Sequence, residues 1–241
     1  MMLKSPYFDS TAKYLPISIK EAKNLSRDDF VRIVNALVAT EKAYDQNANK
    51  AAEKIIEFYE TQKYYNSDKN FYLQILAQLF SDLTFNIPVM REALYKAAAG
   101  HEIYFFVYDF SPEIIKTFNK MDIFDGAGHG FDFANIFGVP KGGPPLDWSD
   151  PEIAKVQKLY VDLFVNFAKT GIPKSDKISV AKITNDSKLP YIYINVETEL
   201  KENLWPERLQ FWDKMSKEFG FDWPEARKVV ISNNDGLKHK F

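Results

Sequence analysis

Residues 102–110 place the tightest constraint on how this chain folds. They form an almost unbroken run of β-branched and aromatic side chains. Such a run predicts a strand that is buried on both faces of a parallel sheet, because a half-exposed strand would alternate with polar residues. Neighbouring parallel strands need long crossover connections, which are usually helical. The run therefore also predicts helices that cover the sheet.

Helical patterns outnumber strand patterns before this run. Ser26 and Asp29 have the spacing of a capping box, which predicts a helix that continues to about Thr40. Apolar residues at helical spacing, and a proline suited to a first helical position, predict further helices. These cover residues 47–60, 68–83 and 88–100.

The C-terminal part adds a helix whose two ends are marked in the sequence. Asp150 is a capping residue, Pro151 suits the first helical position, and Gly171 is placed to terminate the helix. Residues 189–196 alternate as a short strand, and residues 206–219 predict a last helix. With so few strands, we expect an α/β architecture that forms one side of a sheet with its covering helices.

The segment between the buried strand and this helix, residues 111–148, is rich in glycine and proline. A long irregular loop inside a compact domain is usually functional. His129 lies in its middle, between Gly128 and Gly130, and glycine tolerates backbone conformations that a Cβ forbids. This backbone can hold an imidazole at the mouth of a cleft. A flexible surface turn is the alternative interpretation of the glycines alone.

Several further motifs occur in a fixed order along the chain. They are Ser26-Arg27-Asp28-Asp29-Phe30, Asp82 and Pro88 with Phe85 between them, the aromatic strand 103–108, His129-Gly130-Phe131-Asp132, Asn166 to Pro173, Pro190-Tyr191 and Phe211-Trp212. In order and spacing this set resembles the C-terminal part of the type-B carboxylesterases, the cholinesterase-like family of α/β-hydrolases. The resemblance implies a partial α/β-hydrolase fold, helix-rich with a few sheet strands. Residues 1–241 would then be a single, incomplete domain.

The resemblance assigns His129 as the catalytic histidine. In the family's chemistry this residue takes a proton from a serine nucleophile and returns it to the leaving alcohol. A small-molecule carboxylic ester is the substrate implied, once a full domain is assembled. No serine of this chain has the Gly-x-Ser-x-Gly flanks of a nucleophile elbow, and no His-Gly-Gly-Gly oxyanion segment occurs. We therefore expect the chain to be inactive alone.

The triad acid is also expected to be absent. When Tyr7 and Phe8 are aligned with the family's aromatic residues, Lys4 falls at the position of the acid. A lysine would repel an imidazolium instead of stabilising it. Asp9 and Glu21 are the nearest alternative carboxylates, and neither is followed by a glycine.

Other ionisable residues carry weaker functional interpretations. Asp125 and Asp132 are too close in sequence to the histidine to be triad acids, and Asp132 is expected to anchor the following turn. His101 follows a helix end, where a positive charge suits the dipole, and His239 lies between two lysines. The three histidines lack the paired spacing of a zinc site, so we expect no metal and no cofactor.

Composition limits the classes of partner. The 31 basic and 33 acidic residues give a net charge of −2, so no basic footprint for nucleic acid is present. The chain has no cysteine, which removes disulfides and thiolate catalysis. No apolar run reaches the length of a membrane span. Members of the family are often secreted, no signal peptide is recognised here, and the compartment stays undefined.

Two functions from different classes remain open. The first is the histidine-bearing half of a carboxylic-ester hydrolase, a serine esterase. The alternative is a non-catalytic, esterase-like module for protein interaction, since function resides in the site and not in the fold. In either case exposed sheet edges predict self-association.

Overall fold

The computed structural model describes residues 19–62, 70–114, 126–128, 130–138, 145–184 and 188–229. Its N-terminal half is helical within these ranges, with helices α1 Ile19–Ala22, α2 Arg27–Ile33, α3 Glu41–Tyr44, α4 Ala48–Glu60, α5 Phe71–Ser81 and α6 Ile87–Ala98. Short π-helical or 3₁₀ segments follow α2, α3 and α5, at Val34–Val38, Asp45–Asn47 and Asp82–Asn86. The remaining elements are β1 Phe106–Tyr108, a 3₁₀ turn Phe131–Phe133, α7 Ala134–Phe137, α8 Pro151–Thr170, β2 Tyr191–Ile194, β3 Glu199–Lys201, α9 Pro206–Phe219, β4 Phe221–Asp222 and β5 Arg227–Lys228.

The main sheet has the order β1-β2-β3. β1 runs parallel to β2, with Val107 opposite Tyr193, and β2 runs antiparallel to β3, with Ile192 opposite Leu200. The long helix α8 crosses over between β1 and β2, as a parallel pair requires. The short strands β4 and β5 form a separate antiparallel pair. The prediction of a helix-rich α/β fold with a few strands is confirmed.

The helix ends follow the signals in the sequence. At α2 the Ser26 hydroxyl accepts from the Asp29 backbone N–H, and the Asp29 carboxylate accepts from the Ser26 backbone N–H. At α8 the Asp150 carboxylate caps the first turn, and Gly171 ends the helix with a φ of 75°. The predicted capping box and both ends of the long helix are therefore confirmed.

The helix predicted over residues 88–100 is confirmed as α6, Ile87–Ala98, with Pro88 in its first turn, although helical backbone precedes it. The backbone stays right-handed helical from α5 through the π-helical segment Asp82–Asn86 into α6. A proline inside a regular helix lacks one donor and clashes with the carbonyl four residues before it. The wider π turn directly before Pro88 relieves this conflict, because it changes the hydrogen-bond spacing there.

The predicted strand 102–110 is shorter and more exposed than expected. Only Phe106–Tyr108 forms β1, although Phe105 and Asp109 extend its backbone hydrogen bonds to β2. Phe106 is 39% exposed, so the prediction of burial on both faces is wrong. The reason is that, among the described residues, no strand pairs with the side of β1 that faces away from β2.

A fully buried carboxylate joins three helices of the N-terminal half to α9. Asp82, in the π-helical segment, is 0% exposed and accepts hydrogen bonds from Tyr59 (2.9 Å), Gln78 (2.7 Å) and Asn86 (2.7 Å). The guanidinium of Arg208 on α9 lies 3.6 Å from the same carboxylate. Burial raises the pKa of Asp82, although Arg208 and the three donors favour its charged form.

A second ion-pair network ties α6 to the C-terminal end of α9. Arg91 is 6% exposed; its Nη1 donates to the Asp222 carboxylate at 2.8 Å and its Nη2 donates to Asp213 at 2.7 Å. Each charged group thus has a hydrogen-bonded partner, as a buried ion pair requires.

Within the described residues, no helix combines the length and apolar character needed to cross a membrane.

Replacing the buried carboxylate should cost much of the fold's stability. Asp82→Ala leaves three buried donors and the Arg208 charge uncompensated, which we expect to lower the free energy of unfolding by about 3–5 kcal/mol. Urea unfolding followed by circular dichroism measures this loss. Glu53→Ala, at an exposed position of α4, is the control and should change stability by less than about 0.5 kcal/mol. Equal effects of the two substitutions would contradict this account of Asp82.

Candidate functional site

The candidate site surrounds the histidine-bearing loop at the carboxyl end of β1. His129 itself lies outside the described residues, but Gly126, Ala127 and Gly128 before it and residues 130–138 after it are described. Ligands of open α/β sheets bind at the carboxyl ends of strands. The described residues on both sides of His129 therefore define where this part of the site lies.

The backbone that leads into His129 is held by Asp109, the first residue after β1. The Ala127 backbone N–H donates to Asp109 Oδ1 at 3.1 Å. The hydroxyl of Tyr193, on β2, donates a short hydrogen bond to Asp109 Oδ2. One carboxylate therefore links the loop to both parallel strands.

Gly126 fits this arrangement for two separate reasons. Its φ of +73° lies in the left-handed region, which strains other residues. A Cβ at this position would also lie 2.1 Å from Asp109 Oδ1. The carboxylate and the glycine backbone are thus packed as closely as the absence of a side chain permits.

The chain after His129 is held by β1 and α8. The Tyr160 hydroxyl on α8 donates to Asp132 Oδ2 at 3.0 Å. The Asn135 side chain donates to the Tyr108 hydroxyl and to the Asp132 carbonyl, each at 3.0 Å. Asp132 therefore does anchor the turn that follows the histidine, as the sequence predicted.

Three tyrosines supply hydroxyls to this part of the protein, and all of them stay protonated at neutral pH. Burial is the main cause that raises the pKa of Tyr108, of Tyr160 and of Tyr193 well above the usual value. The neighbouring carboxylates Asp132 and Asp109 raise the pKa values further. The phenols of Tyr160 and Tyr193 are consequently lasting hydrogen-bond donors to these carboxylates.

An apolar cavity of about 230 Å³ adjoins the loop. Gly128 and Asp132 form one side of it, and β1 and Met90 of α6 contribute apolar walls. Trp205, at the start of α9, lines it as well and is covered by the Arg208 guanidinium, 4.6 Å from the indole ring centre. The loop thus borders a concave surface whose lining is mainly hydrophobic, which is typical of small-molecule sites.

The aromatic residues near the loop differ in exposure. Phe131 is buried, whereas Phe133 and Phe137 are 54% and 69% exposed and stack with their ring centres 5.8 Å apart. Phe131 belongs to the core. The exposed pair is available to contact a bound molecule or another surface.

The other residues considered from the sequence do not join this site. Lys4, Asp9, Asp125 and His239 lie outside the described residues. Glu21 and His101 are exposed, and the His101 backbone N–H bonds to the end of α6. Where the structure is described, no group of three or more His, Asp or Glu side chains is arranged to hold a metal ion.

Asp109 and Tyr193 were not recognised from the sequence. Asp109 follows an apolar strand directly, and a carboxylate at the end of a parallel strand is a signal that could have identified it. Its partners Ala127 and Tyr193 are 18 and 84 residues away in the chain. No local pattern predicts such contacts.

In the described residues, two parallel strands are joined through the helix α8, and the residues on both sides of position 129 lie at their carboxyl end, an arrangement that agrees with a partial α/β fold. The chain belongs to the carboxylesterase family, because the family's model matches residues 9–212. The resemblance inferred from the motifs is therefore confirmed.

Named relatives agree with this assignment. The chain is 24% identical over 222 residues to gut esterase 1 of Caenorhabditis briggsae, covering 91% of this chain and 39% of that protein. It is 22% identical to gut esterase 1 of Caenorhabditis elegans, covering 92% of this chain and 40% of that protein. Carboxylesterase 1C of Rattus norvegicus is 24% identical over 144 residues, which are 59% of this chain and 25% of that protein.

A solved structure shares the fold. The carboxylesterase EST55 of Geobacillus stearothermophilus superimposes with a TM-score of 0.60 at 15% sequence identity, covering 86% of this chain and 38% of that one. The chain thus spans about two fifths of the length of the two gut esterases and of this structural neighbour.

Substitution of Gly126 should separate close packing from backbone strain. Gly126→Ala introduces both the left-handed strain and the contact with Asp109, whereas Gly171→Ala introduces only strain, because nothing lies within 4 Å of its Cβ position. The strain alone costs about 1–2 kcal/mol. We expect Gly126→Ala to speed amide exchange at Ala127 and to leave the exchange rates of the helices unchanged. Exchange at Ala127 that is as slow as in the unsubstituted chain would show that the close packing is unimportant.

Proposed function

We propose that this chain is the histidine-bearing part of a carboxylic-ester hydrolase and that His129 is its general base and acid. In this mechanism His129 accepts the proton of a serine hydroxyl as the serine attacks the ester carbonyl. It then donates that proton to the leaving alcohol. Membership of the carboxylesterase family and the anchoring of Ala127 before His129 and of Asp132 after it support this role.

The anchoring of the loop is the observation that carries the proposal. Asp109 holds the backbone before His129, and Asp132 with Tyr160 holds the backbone after it. A general base must stay within hydrogen-bond reach of the proton it removes. The anchoring of the chain before and after His129, next to an apolar cavity, supports such a role.

In this proposal, residues 1–241 do not supply the serine nucleophile, the oxyanion hole or the triad acid that the mechanism needs. No Gly-x-Ser-x-Gly elbow or His-Gly-Gly-Gly segment occurs in the sequence, and Lys4 stands at the position expected for the triad acid. We infer that residues 1–241 form the C-terminal part of a carboxylesterase domain. Turnover of a small-molecule carboxylic ester would need a serine, an acid and an oxyanion hole from elsewhere.

The purified chain should therefore show no esterase turnover above buffer on short aryl esters. Without a nucleophile no acyl-enzyme forms, and each missing oxyanion donor removes about 3–4 kcal/mol of transition-state stabilisation. A fluorophosphonate probe that labels reactive serines should also fail to label it. An active carboxylesterase assayed in parallel is the positive control. Stoichiometric labelling of the chain would contradict the proposal.

The coding sequence that precedes Met1 tests the role of His129 itself. If it encodes a serine elbow and an acid, the joined protein should hydrolyse esters, and His129→Gln should lower kcat by at least about 10⁴-fold. Unchanged turnover in that variant would exclude His129 as the catalytic base. Absence of both motifs upstream would favour the second candidate function.

The second candidate is a non-catalytic module that associates with a second copy of itself through β1. The side of β1 away from β2 has no strand partner among the described residues. Phe106 of β1 is 39% exposed, and Phe164 and Phe167 of α8, which contact the rings of Phe106 and Tyr104, are 37% and 47% exposed. Unpaired edges of this kind pair with other chains. The opposite edge strand, β3, instead carries Glu199 and Lys201 beside Leu200, and charged side chains discourage such pairing.

Substitutions at the two sheet edges should have different effects on self-association. A two-fold related pair of β1 edges would run antiparallel, and Phe106→Lys places a charge on the strand that would pair. We expect this change to weaken the dimer by about ten-fold or more, since it removes an aromatic side chain that the dimer interface would bury. Leu200→Lys, a matched change at an exposed position of β3, should leave the dimer unchanged. Light scattering of the three proteins measures this, and a monomeric unsubstituted chain would refute it.

A further inference from the structure

The carboxylate of Asp109, directly after β1, contacts both β2 and the backbone that leads into His129. Its backbone N–H donates to the Ile194 carbonyl at 2.9 Å, and its carbonyl accepts from the Asn195 side chain at 3.2 Å. Both backbone groups of Asp109 are therefore tied to the end of β2. The direction in which its side chain leaves the sheet is set by these bonds.

The two carboxylate oxygens of Asp109 have separate partners. The Tyr193 hydroxyl donates to Oδ2, which orients the carboxylate, and Oδ1 then accepts from the Ala127 N–H at 3.1 Å. Hydrogen bonds to a charged acceptor are about twice as strong as neutral ones. At the end of β1, Tyr193 thus orients the Asp109 carboxylate, which in turn holds the backbone of Ala127.

The position of Ala127 limits where residue 129 can be. Two residues of chain span at most about 7 Å, so fixing Ala127 confines the backbone that follows. On the other side of His129, the Phe131 N–H donates to the Gly128 carbonyl at 3.3 Å. The segment is therefore anchored immediately before the histidine and closed immediately after it.

We propose that Asp109 is a positioning residue for His129, with Tyr193 as the group that orients its carboxylate. The inference rests on the proposed function of His129. Asp109 touches neither substrate nor a reacting atom in this role. Its effect is to restrict the conformations of the backbone at Ala127, which leads into residue 129.

The alternative is that Asp109 only stabilises the fold. A stabilising role would lower the protection of β1, β2 and the loop together, whereas a positioning role changes the loop alone. The Asp109→Ala variant tests this in the full chain. Amide exchange at Ala127 should accelerate by about ten-fold or more, as expected for loss of a charged hydrogen bond. The amides of β2 should keep their rates.

The histidine signals give the second measurement. The chain has three histidines, so ¹³Cε1 labelling yields three ring resonances, and His129→Gln identifies the one from His129. In Asp109→Ala this resonance should shift towards the value of an unstructured histidine and narrow. The resonances of His101 and His239 should stay where they are.

Two further variants test separate features of Asp109: whether the Ala127 hydrogen bond needs the negative charge, and whether Tyr193 orients the carboxylate. Asp109→Asn retains an acceptor for the Ala127 N–H and should restore the His129 resonance and most of the exchange protection. Tyr193→Phe leaves that acceptor in place but frees the carboxylate to rotate, so we expect an intermediate effect. The Tyr193→Phe variant also keeps the proposal testable if Asp109→Ala fails to fold. Asp147→Ala is the matched control, because Asp147 also accepts a backbone N–H, from Ser149 at 2.9 Å, but does so at the far end of the 111–148 segment, next to α8.

The results distinguish this inference from the proposed function. An unchanged His129 resonance in Asp109→Ala and in Tyr193→Phe, or equal loss of protection in β2 and the loop, would overturn the positioning role. Neither measurement depends on ester turnover. A loop that responds as expected while an assembled enzyme is unaffected by His129→Gln would refute the catalytic role alone.

Discussion

The buried carboxylate of Asp82 is the interaction on which the helical half of the protein depends. A charge without water is costly unless hydrogen bonds and an opposite charge surround it. Tyr59, Gln78 and Asn86 donate to this carboxylate, and Arg208 lies beside it. Hydrogen bonds to this one carboxylate therefore join α4, α5 and the π-helical segment, and α9 is joined to them by the ion pair with Arg208. An apolar contact in its place would tolerate sliding, whereas directed hydrogen bonds do not.

The same arrangement reaches the candidate site through Arg208. Its guanidinium lies over Trp205, which lines the cavity next to the loop. On the opposite side, the loop is tied to β1 and α8 through Asp109 and Asp132. The site is thus built from one apolar wall that the helical half positions and one polar support that the sheet positions. The apolar wall and the polar support depend on different interactions, so a substitution can weaken one of them without weakening the other.

Elements with local signals were predictable from the sequence, and contacts between distant residues were not. The Ser26 capping box and the ends marked by Asp150 and Gly171 depend on neighbouring residues, and they were correctly predicted. The π-helical segment that leads into Pro88 was not predicted, because such a turn has no signature in residue type. The exposure of Phe106 depends on which strand lies beside β1, and the Asp109–Tyr193 contact depends on strand register. Hydrophobic periodicity carries neither kind of information.

The free side of β1 is where the two candidate functions differ. Family membership and the anchored loop are compatible with both, because a fold can keep its supports after it has lost its chemistry. An esterase needs a serine and an acid to approach the same strand end that holds Asp109. A self-associating module needs only that the edge of β1 and its exposed phenylalanines be covered by a second copy. Since one edge accepts one strand, a chain that pairs with itself there excludes other strands from that edge. The occupant of the β1 edge therefore bears on which of the two proposed functions this chain has.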